Sequence, residues 1–427
     1  MAERALLVGV ALSSQAEGEA EASLLELERL AGSAGAEVLG RVLQARRGPD
    51  PATYIGEGKV RQLKERAGAE KADVVVFDDE LKPSQQRNLE EALGVKVLDR
   101  TQLILDVFAG RASSNEGRLQ VELAQLSYLL PRLVGMGAAL SRLGGGIGTR
   151  GPGETKLEAD RRRLRDRISL LAGEIAQVSR TRELQRERRR KGHAKVAALA
   201  GYTNAGKSSL FNSLTSAKVY VEDRLFATLD PTVRAMEMEQ SAPMQLLLVD
   251  TVGFVRKLPH ALVAAFRATL EEVADADVVL KVVDAADPAW PGHLQAVDDV
   301  LAQVYQRYLH DRPEPEPWLV FNKCDQLGPA KQKALKAAHP GAHCVSALNK
   351  DGLEALRQSL RARLEKGLPR GRYLIPHDAL GKLSRHFAEL RILKQEWTEQ
   401  GLLLEAILSK EMKTLEPYRV KGTKGGR

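Results

Sequence analysis

Residues 201–208 read GYTNAGKS and fit the pattern Gly-x-x-x-x-Gly-Lys-Ser/Thr. The stretch follows the apolar run VAALA (196–200) and precedes SLFNSL (209–214), so it joins a predicted strand to a predicted helix. In that setting the glycines let backbone N–H groups surround phosphate oxygens, Lys207 reaches the β- and γ-phosphates, and the Ser208 hydroxyl is placed for Mg2+. A plain Gly-rich turn is the alternative that this context argues against.

Working outward, strand-helix alternation continues for about 170 residues, with strands predicted at LLLVD (246–250), VVLKVVD (278–284), WLVFN (318–322) and HCVS (343–346). That is the pattern of a doubly wound, mostly parallel α/β domain. Three motifs sit at carboxyl ends of these strands. DTVG places Asp250 to hold Mg2+ through water and Gly253 to bind the γ-phosphate. NKCD offers Asp325 to the two Watson–Crick donors of guanine, with Lys323 over the base and Asn322 bracing the loop. SAL, at 346–348, fits the last base-contacting loop. Each motif alone is weak, but in this order they point to guanine nucleotide.

The binding set is therefore Gly201, Tyr202, Thr203, Asn204, Ala205, Gly206, Lys207, Ser208, Ser209, Asp250, Thr251, Val252, Gly253, Asn322, Lys323, Cys324, Asp325, Ser346, Ala347 and Leu348. The segment LFATLDPTV (225–233) adds Phe226, Ala227, Thr228, Leu229 and Asp230. A threonine here supplies Mg2+ with a hydroxyl when the γ-phosphate is present; Thr228 is favoured over Thr232. Lys207, Thr228 and Gly253 form the catalytic set, and Ser208, Thr228 and water-linked Asp250 the metal set. Where Ras-like enzymes place a water-orienting Gln, this chain has Phe254. A phenyl ring makes no such hydrogen bond, so intrinsic hydrolysis is expected to be slow and completed by a partner, a cation or another residue. Asn204 is a candidate ligand for K+, with a loop-bracing amide as the alternative.

The rest of the 427 residues divides by pattern. Short apolar runs at ALLVGVA, EVLGRVLQA, DVVVF and VKVLD alternate with helices around residues 24–30, 59–67 and 84–93, which predicts an N-terminal α/β subdomain over 1–110. ALLVGVAL at the N-terminus reads as a strand rather than a signal peptide. Residues 111–192 carry narrow stripes, Leu119, Leu123, Leu126, Leu130 and then Leu164, Ile168, Leu171, Ile175, Val178, which predict a helical hairpin. Pro131 is expected to close its first helix and Pro152 to precede the second, with a Gly-rich reversing loop (134–153) between. The phosphate-loop domain covers 193–366, with RPEPEPW (312–318) as a surface loop. A small C-terminal α/β domain covers 367–427, with a helix near 377–393, the apolar run LLLEAIL and a disordered tail.

Hydrophobic residues at 43% exclude global disorder, and aromatics at 4% count against single-strand binding by base stacking. The two cysteines, Cys324 and Cys344, are too few for a disulfide framework or a zinc site and read as buried small hydrophobes in a reduced cytosol. The net charge is +8, and residues 150–195, with 15 basic against 7 acidic side chains, account for all of it. A local basic stripe suggests phosphate contacts with RNA through Arg161, Arg162, Arg163 and, in the Gly-rich loop, Arg142 and Arg150. The run Arg188, Arg189, Arg190, Lys191 extends the stripe. The alternative is a solvated helix face with pairs such as Asp160 and Arg163.

These residues resemble the HflX family of ribosome-associated GTPases. The match covers Tyr54-Ile-Gly-Glu-Gly-Lys59, Asp79-Glu-Leu-Lys-Pro-Ser-Gln-Gln-Arg-Asn88, Asp99-Arg-Thr101, Leu119-Gln-Val-Glu-Leu-Ala-Gln-Leu126 and Ser141-Arg-Leu-Gly-Gly-Gly-Ile-Gly-Thr-Arg-Gly-Pro-Gly-Glu-Thr155, beside the nucleotide motifs. The resemblance implies binding to the large (50S) ribosomal subunit, with hairpin and Gly-rich loop toward the peptidyl-transferase centre, and splitting or rescue of stalled ribosomes under stress. It implies a monomer in the cytoplasm and leaves peripheral membrane association open. It also raises ATP binding by the N-terminal domain, where residues 56–59 (Gly-Glu-Gly-Lys) could hold a phosphate at a helix N-terminus or merely start a helix. An ATP-dependent rRNA remodeller and a ribosome assembly factor are the competing readings.

Overall fold

Val74, Val75, Val76 and Phe77 are buried on both faces, as a strand in a covered parallel sheet must be. The computed structural model describes residues 2–12, 17–133, 152–191, 194–215, 226, 231–236, 245–257, 267–309, 312–366, 368–383, 387, 390–408, 412 and 414–420. These form two compact units, the first holding Met1–Thr181 with residues 226, 252–257 and 267–270, the second holding the other described residues.

In the first unit, β1 (Arg4–Ala11), β2 (Glu37–Ala45), β3 (Val74–Phe77) and β4 (Lys96–Asp99) form a parallel sheet in the order β2-β1-β3-β4. Helices α1 (Glu17–Ser33), α2 (Glu57–Ala69) and α3 (Pro83–Leu93) fall where the pattern placed them. Proline opens α3, and Gly94 ends it at φ +75°, a left-handed conformation that suits glycine. Helix α4 (Arg100–Arg111) was not anticipated. It buries Leu103, Ile104, Leu105, Val107 and Phe108 together with Arg100 and Thr101, and its exposed face, Asp106, Ala109 and Gly110, carries a single charge, so its sequence shows no clear polar stripe.

Both hairpin arms form. Helix α5 (Asn115–Arg132) starts at Ser114, whose side chain accepts from the Gly117 N–H. Pro131 lies inside its last turn rather than beyond it. Its most buried row is Val121, Ala124 and Tyr128, and the predicted leucines are only partly covered or, at Leu129 beside them, exposed. Helix α6 (Pro152–Lys191) runs 40 residues, about 60 Å at 1.5 Å per residue. Along it Leu164, Ile168, Ile175 and Val178 are partly covered and Leu171 is fully buried. Arg167 donates from Nε and Nη2 to the two carboxylate oxygens of Glu122, at 2.7 and 2.9 Å, tying α6 to α5 in forked geometry. The Gly-rich loop from 134 to 151, with Arg142 and Arg150, lies outside the described residues.

The second unit is built on a six-stranded sheet in the order β10-β9-β8-β5-β7-β6. Its strands β5 (Lys195–Gly201), β7 (Leu246–Asp250), β8 (Val278–Asp284), β9 (Glu316–Asn322) and β10 (His343–Cys344) are parallel, and the short β6 (Thr232–Ala235) pairs antiparallel with β7. Strand β9 begins at Glu316, so the predicted surface loop over 312–318 ends earlier than its prolines suggested. Helices include α7 (Lys207–Thr215), α9 (Trp290–Tyr308), α10 (Pro329–Ala338) and α11 (Leu353–Glu365), with α8 (Arg267–Ala274) entering from the preceding segment.

The C-terminal part has its own core around Tyr373, Ile375, Leu390, Leu404, Ala406 and Leu408. The helix expected near 377–393 is cut short: α12 covers His377–Leu383, and Leu390–Thr398 is strand β12. It pairs antiparallel with β13 (Gly401–Leu408), which also pairs with β11 (Arg370–Ile375). The apolar face of β13 fixes this outcome, because a helix over 390–393 would leave that strand's edge unpaired. The tail residues 421–427 lie outside the described residues.

Candidate nucleotide site

The phosphate loop follows β5 and opens α7, as its spacing requires. Gly206 has φ +84°, and a Cβ there would sit 2.2 Å from Asn322 Nδ2, so backbone conformation and close approach both demand glycine. That contact is part of a brace: Asn322 Nδ2 donates to Ala205 O at 3.0 Å while its Oδ1 accepts from the Ala347 N–H at 3.0 Å. One side chain thus joins the phosphate loop, NKCD and SAL, and Ser346 Oγ accepts from the Asn349 N–H at 3.0 Å to shape the last loop.

Lys207 is buried, and its Nζ donates to the carbonyls of Gly201 and Tyr202 at 3.1 and 2.9 Å. Burial without a hydrogen-bonded carboxylate pushes its pKa down to about 8; the field of Asp250 opposes this more weakly. Such a lysine gains from an arriving anion. Ser208 Oγ donates to Asp250 Oδ2 at 2.8 Å, so the hydroxyl and carboxylate that the motif assigns to the metal converge on one point at the strand end. Thr251 is fixed by its hydroxyl on Leu199 O.

On the base side, Lys323 has φ +59° and its Nζ pairs with Asp284 at 2.7 Å, which holds its stem across the loop mouth. Asp325 lies exposed in the single turn Cys324–Gln326, and Leu348 is 82% exposed. Asn204 is exposed at φ +60°, a left-handed position that asparagine tolerates. Its side chain makes no hydrogen bond among the described residues, which weighs against the loop-bracing alternative. Tyr202 is held by stacking on His293, with centroids 4.0 Å apart.

Residues 227–230, and with them Ala227, Thr228, Leu229 and Asp230, lie outside the described residues. Phe226 does not: its ring is buried against Phe108 of α4, centroids 4.4 Å apart, so its side chain serves the first unit's core. Val252 and Phe254 are also buried. A contact that sequence reasoning missed follows them. Lys257 Nζ donates to Asp78 Oδ2 at 2.7 Å and also pairs with Asp79.

The family-like N-terminal motifs prove largely architectural. Asp99 caps α4 by accepting from the Gln102 N–H and also accepts from Leu81 N–H and Arg132. Gln85 and Asn88 donate to the carbonyls of Asp50 and Ala52. Gly56 starts α2, but its N–H already donates to Gln44 Oε1 at 3.0 Å.

The basic helix divides in two. Arg186 and Arg189 are paired with Glu271, Glu272 and Asp275 at 2.8 to 3.1 Å. These partners lie more than 80 residues away, so the expected extension of the stripe to Arg189 is a structural cluster. Arg162, Arg163 and Arg165 are exposed and Arg161 is partly covered; among the described residues, Arg163 alone of these four pairs with a carboxylate, Asp160 at 3.5 Å.

A mostly parallel sheet with a phosphate loop, an aspartate ending β7 and an amide-braced NKCD loop defines a P-loop GTPase. Family models agree: "GTP-binding GTPase N-terminal" matches residues 21–109, "GTP-binding GTPase Middle Region" 111–189, and "50S ribosome-binding GTPase" 196–323. GTPase HflX of Caldanaerobacter subterraneus subsp. tengcongensis is 45% identical over 411 residues, covering 96% of this chain and 92% of the relative. GTPase HflX of Escherichia coli is 42% identical over 400 residues, covering 93% and 91%. The chain belongs to the HflX family of GTPases. It is a GTP-binding enzyme of a class that uses Mg2+ with its nucleotide, and no described helix is long and apolar enough to cross a membrane.

Proposed function

We propose that this GTPase associates with the large ribosomal subunit in its GTP state and splits or rescues stalled ribosomes under stress. The carrying observation is the exposed cluster Arg162, Arg163 and Arg165 on α6, beside partly covered Arg161, in a chain whose GTPase domain matches a model described as 50S ribosome-binding. Exposed arginines on a helix gain affinity from phosphates by counterion release. Arg142 and Arg150, in the adjoining loop, extend this surface in the proposal.

At the nucleotide, Lys207 takes the β- and γ-phosphates, Gly253 offers its N–H to the γ-phosphate, and Asn322 keeps both base loops in register with the phosphate loop. Asp325 reads guanine. Ser208 and Thr228 would hold Mg2+ directly and Asp250 through water; the convergence of Ser208 on Asp250 fits that assignment. The ion supplies charge neutralisation at the phosphates. Asn204 would serve a K+ ion. Phe254 offers no hydrogen bond to an attacking water, so turnover depends on ribosomal stimulation.

Sedimentation with purified subunits in GTP analogue, GDP and no nucleotide tests the reading: cosedimentation with 50S should require the analogue. Changing Arg161, Arg162 and Arg163 to Glu should weaken binding and lower the slope of log affinity against log salt by about one per lost phosphate contact. An unaltered slope favours the solvated-face alternative. Asp325→Asn should weaken GTP binding about 10- to 100-fold, the worth of one to two charge-assisted hydrogen bonds; unchanged affinity sinks the guanine assignment.

A further inference from the structure

Cys324 sits inside the NKCD motif, and Cys344 is the last residue of β10, two positions before Ser346. The chain brings them together. Cys344 is the register partner of Phe321, the Val345 N–H donates to Phe321 O at 2.8 Å, and the Cys324 N–H donates to Val345 O at 3.1 Å. Both side chains pack in one apolar cluster with Phe321, Leu327 and Leu335. Cys324 is buried and its Sγ contacts Phe321 O, whereas Cys344 is only partly buried, on the edge strand of the sheet.

We propose that Cys324 and Cys344 form a reversible disulfide under peroxide and that this bond switches off guanine-nucleotide binding. In the first step the Cys344 sulfur attacks hydrogen peroxide: an S–O bond forms, the O–O bond breaks, and water leaves, giving a sulfenic acid. In the second the Cys324 sulfur attacks that sulfur: an S–S bond forms, the S–O bond breaks, and a second water leaves. Two thiols are oxidised, one peroxide is reduced to two waters, and both thiol protons end in water. The order follows from access. Burial first, and then the neighbouring Cys344 thiol, push the Cys324 pKa up to about 12, so Cys324 stays protonated until a sulfenic acid is held against it.

The consequence follows from bond length. An S–S bond of about 2.05 Å is far shorter than the approach of two unbonded sulfurs, so the two side chains must draw together. Cys324 lies in the single turn that presents Asp325, next to Lys323 in a left-handed conformation. Drawing its sulfur toward β10 tilts that turn and displaces the Asp325 carboxylate from the base.

The consequence rests on the guanine reading of Asp325; the bond itself does not. The full chain treated with hydrogen peroxide should lose two hydrogen atoms by mass, yield a cross-linked peptide pair containing Cys324 and Cys344, and bind fluorescent GDP at least about tenfold more weakly, with dithiothreitol restoring affinity. Cys344→Ser should bind GDP normally when reduced and keep that affinity in peroxide. Absence of the cross-linked pair overturns the bond. A formed bond with unchanged affinity overturns the switch, as does reversible loss in Cys344→Ser. Unchanged GDP affinity in reduced Asp325→Asn would instead fault the guanine reading.

Discussion

The two parallel sheets treat their carboxyl edges in opposite ways. At the edge of the N-terminal sheet, Asp78 follows β3 and accepts from Arg100 at 2.7 Å, Ser23 at 2.6 Å and Lys257 at 2.7 Å, while Arg100 also donates to Glu26 at 2.6 Å. Nearby, Asp99 accepts from Arg132 at 3.1 Å. Charge there is closed: buried acids meet buried bases. At the edge of the second sheet, among the described residues, the buried cation Lys207 donates only to carbonyls, those of Gly201 and Tyr202. Open sheets of this class bind ligands outside the carboxyl ends of their strands. The contrast shows that the position alone does not make a site; a buried cation without a hydrogen-bonded carboxylate does.

The sharpest way to break this comparison is to open the closed edge. Arg100→Met removes the cation shared by Asp78 and Glu26 and leaves buried carboxylates short of a partner, which should destabilise the protein by about 3–5 kcal/mol. Urea denaturation measures it. A loss below about 1 kcal/mol would mean that water already screens this cluster, and that the edge is not closed.

The open edge predicts a pH dependence. The folded-state pKa of Lys207 is about 8 against an ordinary 10.5, so between those values the unfolded chain binds the proton more tightly than the folded one. Stability of the nucleotide-free protein should therefore rise with pH across that window, as a penalty of about 3 kcal/mol, complete below pH 8, is relieved. Lys207→Met should flatten the rise when denaturation midpoints are compared from pH 7 to 10.5. Nucleotide should flatten it too, because phosphate supplies the missing counter-charge. An equal slope in the wild type and in Lys207→Met would show that Lys207 is compensated after all.

These two edges also differ in how far they were legible. The phosphate loop could be read because its geometry is local: Gly206, Lys207 and Ser208 act within one strand-to-helix turn. The parallel strands of both sheets could be read from their apolar runs, but the short antiparallel β6, Thr-Val-Arg-Ala with no residue buried, could not. The closed edge could not, since Glu26, Asp78 and Arg100 are brought together only by folding and carry no spacing rule. For the same reason, Arg189 looked like part of an RNA-binding stripe until Glu272 proved to be its partner. Helix α4 escaped because its exposed face, Asp106, Ala109 and Gly110, is only weakly polar while Arg100 and Thr101 are buried, and β12 because Leu390, Ile392 and Leu393 suit either period once a strand irregularity intervenes near Leu393.

The smallest effect concerns Lys257, where the segment after Asp250 enters the closed network. Lys257 adopts φ +52°, which costs a non-glycine residue about 1 kcal/mol, and is held there by Asp78 and Asp79. Desolvation lowers its pKa, but the two carboxylates outweigh that and raise it. With a raised folded pKa, the ion pairs contribute fully at neutral pH and are lost only as pH rises through that value. The side chain is 44% exposed, so screening leaves only about 0.5–1 kcal/mol. Lys257→Met should therefore lower stability by about that amount at pH 7. It should also accelerate amide exchange over residues 252–257 more than over the β3 core at 74–77, because the buried valines remain while the tether is gone. Uniform acceleration of both would indicate a general loss of stability and would deny Lys257 any local hold on the chain beyond Gly253.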